Sequence, residues 1–226
     1  MRHIPLFPLQ VVLFPGMPLP LNIFEPRYKK MVRECLASET PFGIVYTPRL
    51  LETTEINSLT KTQIGCLARI IHINAKENAD GSYELMTIGT ERFRISAFHD
   101  QNIFPTATVE SLPLEQGDSI ALHRSAAFLR LWLRAYLEIL WRTHPYLKTR
   151  EQATLMNHLP EAASELLFFS AAALQIPSRE KQQLLEIVSG VELAENLLRL
   201  TRRELFLLDH LVQAVPAKVN RGAWLN

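Results

Sequence analysis

The sequence predicts an α+β protein in which a β-rich half, residues 1–116, is followed by an all-helical half, residues 117–226. Three observations carry this reading. The first half of the chain consists, apart from one helix, of short apolar, β-branched and aromatic runs at close spacing, separated by Pro, Gly and polar breaks. The composition changes after Leu112-Pro-Leu-Glu-Gln-Gly117, a linker-like stretch, and becomes rich in Leu and Ala. Beyond that point the apolar residues recur with the 3.6-residue period of helices.

The opening segment alternates apolar runs with prolines: Pro5-Leu-Phe-Pro-Leu9, Val11-Val-Leu-Phe-Pro-Gly16, Pro18-Leu-Pro-Leu21 and Ile23-Phe-Glu-Pro-Arg-Tyr28. Each proline removes a backbone donor and fixes φ, so the segment reads as short extended pieces joined by bends. Tyr28, Met31, Val32, Cys35 and Leu36 then follow at i, i+3, i+4, i+7 and i+8, one face of a helix. Pro26 suits its first turn and Glu25 the positive end of its dipole. Phe14 and Phe24 are expected in the core.

Phe42–Tyr46 is expected as a buried strand and Arg49–Thr62 as a surface loop. Cys66–Ile73 and Tyr83–Ile88 form a strand pair, with Asp80-Gly81 supplying the positive φ of a hairpin turn. Gly89-Thr-Glu91 is expected as another turn before the alternating strand Arg92–Ser96, and Ala107–Val109 gives one more strand. From the residues alone this is a small, partly closed barrel or curled sheet.

Ser119–Trp141 reads as a long helix, with Arg130, Arg134, Glu138 and Arg142 forming a polar stripe; a charge on every turn rules against a membrane span, and His144-Pro145 ends it. Further helices are expected at about Arg150–Asn157, at Glu161–Leu174 and after Pro177 with Ser178 as N-cap. A last one opens on the capping box Ser189-Gly-Val-Glu192, with Leu193, Leu197, Leu200, Leu207 and Leu211 along one side.

The bulk properties are those of an ordinary globular chain: 47% hydrophobic, 21% charged, net charge +1 over 226 residues. No bulk electrostatic field argues for nucleic acid or an anionic membrane. Cys35 and Cys66 stand alone, without a C-x-x-C pair, and read as buried reduced thiols suited to a cytoplasmic setting. Met1-Arg-His3 and the apolar run after it look like the start of a signal peptide, but Pro5, Pro8 and Pro15 interrupt the run and no small-x-small site follows.

Motifs for chemistry are missing. No glycine is followed by Lys as in a phosphate-binding loop, and there is no G-x-G-x-x-G or G-x-S-x-G. The seven histidines show no metal-ligand spacing; His72 reads as an edge histidine in a strand. Neither a cofactor nor a metal is expected, and no catalytic residue. Ser178-Arg-Glu-Lys181 matches the letters of a serine–lysine nucleophile but reads as a helix cap followed by solvated charges. Candidate peptide contacts are Arg92, Phe93 and Arg94 on one strand and Trp132 and Trp141 on the long helix. The bland reading of each is a solvated face, a core Phe or core aromatics. Arg92-Phe93-Arg94 could also serve an RNA-binding sheet, although no second aromatic–basic strand accompanies it.

The four opening segments resemble the N-terminal, substrate-binding domain of the Lon protease, in particular its stand-alone branch. Gly65-Cys-Leu-Ala-Arg-Ile70, Asp80-Gly81 leading to Gly89-Thr-Glu-Arg-Phe-Arg-Ile95, Ala107-Thr-Val-Glu110 and Lys181-Gln-Gln-Leu-Leu-Glu186 agree with it. The resemblance spans nearly the whole chain and implies a PUA-like pseudo-barrel with one helix, followed by a helical bundle. It implies a non-enzymatic module that binds unfolded or client proteins, an adaptor or regulator in proteolysis with a full-length Lon protease as a further partner. The ATPase and Ser–Lys protease modules of Lon would lie beyond residue 226. No membrane, nucleic acid or small-molecule substrate is expected. The alternatives are an RNA-binding PUA-like protein and a hydrolase using Ser178 and Lys181. Strand edges and the cleft between barrel and bundle are the expected docking places.

Overall fold

The computed structural model describes residues 1–49, 63–74, 82–99, 103–143 and 159–214. Six strands come first: β1 (Arg2–Leu9), β2 (Pro18–Ile23), β3 (Phe42–Tyr46), β4 (Ile64–Asn74), β5 (Tyr83–His99) and β6 (Thr106–Ser111), with helix α1 (Pro26–Ser38) between β2 and β3. Four described helices follow: α2 (Ser119–Thr143), α3 (Ala163–Ala173), α4 (Ser178–Glu186) and α5 (Gly190–Ala214). The expected Asp80-Gly81 turn, the helix near Arg150–Asn157 and most of the Arg49–Thr62 loop lie outside the described residues, as do His144-Pro145 and the side chain of Leu211.

The strands close on themselves. They run in the order β2-β5-β4-β3-β1-β6, and β6 also pairs with β5, so five of them form a ring with β2 as an added edge. Closure removes the open edges of a flat sheet. β1 switches partner halfway: Arg2–Pro5 pair antiparallel with β6, and Leu6–Leu9 pair parallel with β3. Each half of β1 therefore carries one ladder, and a proline's missing N–H can lie on its open side. Pro18 and Pro20 sit in β2, whose single ladder is to β5.

β5 runs unbroken through Gly89, where the sequence suggested a turn. The glycine is there for a close approach. A Cβ at Gly89 would lie 2.2 Å from the Phe14 carbonyl oxygen, and its own N–H and C=O bond to Met17 O and Gly16 N, both at 2.9 Å. The approaching segment is a tight turn, Phe14-Pro-Gly-Met17, closed by Met17 N–H to Phe14 O at 3.0 Å. Gly16 has φ +78°, the positive value required at the third position of a type II turn, and Pro15 presets the second.

Three apolar clusters hold the molecule. Inside the barrel, Ile4, Leu6, Val45, Leu67, Phe93, Ile95, Ala107 and Val109 meet. Under α1, Tyr28, Met31, Val32 and Cys35 pack on Phe7, Leu13 and Phe42. The bundle core includes Leu129, Leu133, Tyr136, Leu166, Leu167, Leu193 and Leu197, and it also takes Val12, Phe14, Ile64 and Leu112 from the barrel side. The two halves thus share one apolar junction, with Phe14 fully buried at its centre.

Several sequence expectations are corrected. Phe24 is 66% exposed and Leu36 39%: the first follows the end of β2, and the second falls at the rim of the α1 stripe. Ser178 is the first helical residue of α4, preceded by Pro177 as N-cap, and its hydroxyl donates to Gln10 O instead of capping. Leu207 is exposed, while Leu205 and Leu208 on the same helix stay packed, partly buried, against the bundle core. The 112–117 stretch is pinned rather than free, since Glu115 N–H donates to Val188 O and Gly190 N–H to Glu115 O. Asp118, unremarked in the sequence, caps α2 by accepting from Ile120 and Ala121 N–H at 3.0 and 3.1 Å.

A candidate peptide-binding groove between barrel and bundle

The Pro15-Gly16 turn stands opposite α3, and a groove of about 760 Å³ lies between them. Pro15, Met17 and Pro18 form one wall; Phe168, Phe169 and Ala172 form the other. The groove follows from local sequence. A Pro-Gly turn cannot fold its apolar residues under itself, so Pro15 and Met17 stay half-exposed. Helix α3 is apolar on nearly every face, which suits a buried helix, yet Phe169, Ala172 and Ala173 are only partly covered. Ala172 and Ala173 are small, and this leaves room above them. Thr90, Ser164 and Glu165 supply the polar groups at the groove, few against a mostly apolar lining, as in sites that accept apolar ligands.

A second opening of about 640 Å³ lies elsewhere on the junction, around Arg94, Leu112, Ile187 and Ser189, and it carries Glu115, Glu186 and Glu192. Between the two lies Arg92, only 2% exposed. Its Nη1 donates to Leu185 O at 2.7 Å and Ile187 O at 2.5 Å, the carbonyls that end α4, and its guanidinium lies 5.2 Å from the centre of the Phe168 ring. A cation at a helix C-terminus is favourably placed against the helix dipole. Burial nevertheless pulls the Arg92 pKa below the ordinary arginine value, partly offset by the Cys66 thiol nearby.

None of the five residues singled out in the sequence lines the groove. Phe93 is 1% exposed and points into the barrel, where its ring tip fills the space above Gly43 and Gly65. Arg92 points outward, but the bundle covers it. Arg94, on the same side of β5, is exposed at the second opening. The alternation of strand side chains was legible, whereas which outward residue the bundle would cover was not. The stacking face that an RNA-binding sheet would need is therefore not presented by Arg92-Phe93-Arg94. Trp132 is half-buried beneath Arg202, 4.8 Å from its ring centre, and Trp141 is half-buried against the bundle core.

Ser178 and Lys181 are tied to separate carbonyls. Ser178 Oγ donates to Gln10 O at 3.2 Å, and Lys181 Nζ donates to Ala172 O at 2.9 Å near the end of α3. Burial lowers the Lys181 pKa, but its proton is committed to a backbone acceptor rather than to a serine. Both cysteines are buried free thiols, pushed up to about 11 at Cys35 and about 12 at Cys66 by desolvation first of all. Among the described residues, no group of three or more His, Cys, Asp or Glu could hold a metal ion, and no helix is long and apolar enough to cross a membrane.

The chain is similar to known proteins along most of its length. It is 24% identical over 233 residues to the Lon protease of Anaeromyxobacter dehalogenans (strain 2CP-C), covering 96% of this chain and 25% of the relative. It is 29% identical over 180 residues to the Lon protease of Paraburkholderia phytofirmans (strain DSM 17436 / LMG 22146 / PsJN), covering 77% of this chain and 21% of the relative. The chain thus spans about a quarter of the length of these curated relatives. Among solved structures, the N-terminal domain of Mycobacterium avium complex Lon protease superposes with a TM-score of 0.64 at 20% identity, covering 89% of this chain and 98% of that one. The Lon N-terminal domain protein from Xanthomonas campestris superposes with a TM-score of 0.56 at 22% identity, covering 88% and 98%. These likenesses carry the fold. The family model for the ATP-dependent protease La (LON) substrate-binding domain matches residues 3–203, and the chain belongs to that family.

Proposed function

We propose that this chain is a non-enzymatic client-binding module that captures extended apolar segments of unfolded proteins in the groove between the Pro15-Gly16 turn and α3. One observation carries the reading: a substrate-binding-domain fold presents a groove of about 760 Å³ whose walls are apolar side chains from both halves of the molecule. An extended peptide laid there would bury its side chains against Met17, Phe168 and Phe169, while Thr90 and Ser164 offer hydrogen bonds. The paired roles follow from where the walls come from. The turn is held by Gly89 and Phe14, and α3 by the bundle core, so the groove is preorganised by the junction. On this reading the module acts as an adaptor or regulator, holding clients for, or away from, a full-length Lon protease.

The test is fluorescence anisotropy of the chain with a labelled, permanently unfolded polypeptide, on the wild type and on Ala172→Trp, which fills the groove. Saturable binding that weakens more than about tenfold in the variant is expected, a change of ~1.4 kcal/mol or more. Equal binding by the two proteins would place the clients elsewhere.

A further inference from the structure

Among the described residues, Arg92 is the only charged side chain that is fully buried. Its Nη1 edge is spent on the end of α4, on Leu185 O and Ile187 O. Its other edge is not: neither Nε nor Nη2 has a hydrogen-bond acceptor, and no carboxylate pairs with the guanidinium. Nε–H and Nη2–H lie side by side on one edge of the guanidinium, the fork that receives both oxygens of a carboxylate. A buried cation with its fork unpaired is costly, more so than a neutral residue of the same size. Ending α4 needs only the Nη1 edge, so that role leaves the fork unexplained.

Two openings are lined by residues that touch Arg92, and their charges differ. Ile187 and Leu112, which bond to Arg92 through Ile187 O and Leu112 N, line the second opening, where Glu115, Glu186 and Glu192 outnumber Arg94 and oppose an anion. Phe168, whose ring covers the guanidinium, lines the groove, where Glu165 is the one acidic lining residue. We infer that the inner end of the groove is a carboxylate subsite, in which the Phe168 ring turns aside and Nε and Nη2 of Arg92 receive one carboxylate of the bound chain. The inference rests on the proposed groove and gives it a preference: apolar segments that carry an acidic side chain or end in a free C-terminus bind ahead of uncharged ones. The ring contact that closes the subsite when empty is replaced by an ion pair when it is filled.

The experiment uses the full chain and four fluorescein-labelled decapeptides of Leu, Phe and Ser, with a central Glu or Gln and a C-terminal carboxylate or amide. On the wild type, a peptide with a carboxylate is expected to bind on the order of 10-fold more tightly than the Gln-amide peptide. The Glu-amide and Gln-acid peptides tell a side-chain carboxylate from a terminal one. Arg92→Gln, checked for folding by circular dichroism, should bring all four peptides to the weakest affinity; if it does not fold, the wild-type comparison decides alone. Affinities within twofold across the four peptides, with binding still lost in Ala172→Trp, would overturn the subsite and keep the groove. That is the result expected if the fork completes itself on Gln182 Oε1, a buried acceptor on α4 that is likewise unpartnered. Binding untouched by Ala172→Trp, or no binding of any peptide, would overturn the groove and the subsite with it.

Discussion

Among the described residues, two openings at the junction between barrel and bundle are similar in size and opposite in character. The groove, about 760 Å³, is walled by Met17, Phe168 and Phe169, whereas the second opening, about 640 Å³, sets Arg94 among Glu115, Glu186 and Glu192. Volume alone would not tell them apart. Their construction does. Beside the buried Phe168, the groove is bounded by Met17, Phe169 and Ala172, which the core left partly uncovered, so apolar surface there is available to a partner. The second opening is bounded by connections: Glu115 N–H to Val188 O, Gly190 N–H to Glu115 O, and Ser189 at the start of α5. It is where backbone bonds tie the chain's segments together.

The largest test of this contrast removes what the groove wall stands on. Phe14 is fully buried, precedes Pro15 in the turn and packs into the bundle core. Phe14→Ala is expected to cost about 3–5 kcal/mol in urea unfolding, through lost burial and the cavity left behind. Phe24→Ala, at a residue 66% exposed, should change stability by no more than about 0.5 kcal/mol. A near wild-type urea midpoint for Phe14→Ala would mean that the turn is not held by the junction.

The next test separates the openings by occupancy. Filling the groove with Ala172→Trp should weaken unfolded-client binding more than about tenfold. Gln183→Trp, placed on the exposed lining of the second opening, should leave client affinity within about twofold, less than ~0.4 kcal/mol. If Gln183→Trp is the damaging change, the two openings have been assigned the wrong way round.

These residues also show what could be read from the sequence. The proline spacing announced a bent strand and a Pro-Gly turn, because proline acts on its own backbone. The helix face Tyr28, Met31, Val32 and Cys35 was legible for a similar reason: the period is local. Gly89 was misread as a turn because its purpose lies in the approach of Phe14, a neighbour in space and not in sequence. Arg92 looked like a solvated charge because alternation gives a side, not what covers it. The groove itself was legible only as a cleft between two halves. Helix α3 looks like pure core, and its partly open face exists because the Pro15-Gly16 turn stops short of covering it.

The cysteines give a chemical check on the junction and its surroundings. The thiolate is the species that reacts with alkylating agents, and burial holds Cys66 at about 12 and Cys35 at about 11, so both are protonated at pH 8. Iodoacetamide at pH 8 should leave both unmodified in the folded chain and alkylate both in urea, as read by intact mass. Rapid labelling of Cys66 in the native protein would mean that β4 opens easily, a result incompatible with a preorganised groove.

The smallest effect expected is at the second opening. Ser189 Oγ accepts from Glu192 N–H at 3.4 Å, a long bond that satisfies one of the free amides at the start of α5. Ser189→Ala should therefore cost about 0.5–1 kcal/mol in urea unfolding, the low end for a lost N-cap, because Gly190 N–H to Glu115 O at 2.7 Å still fixes the helix start. Client affinity should not change, since nothing at the groove touches Ser189. A variant that unfolds at the wild-type urea midpoint but loses client binding would give the second opening a binding role, and the contrast between a groove for ligands and a seam for folding would fail at its weaker side.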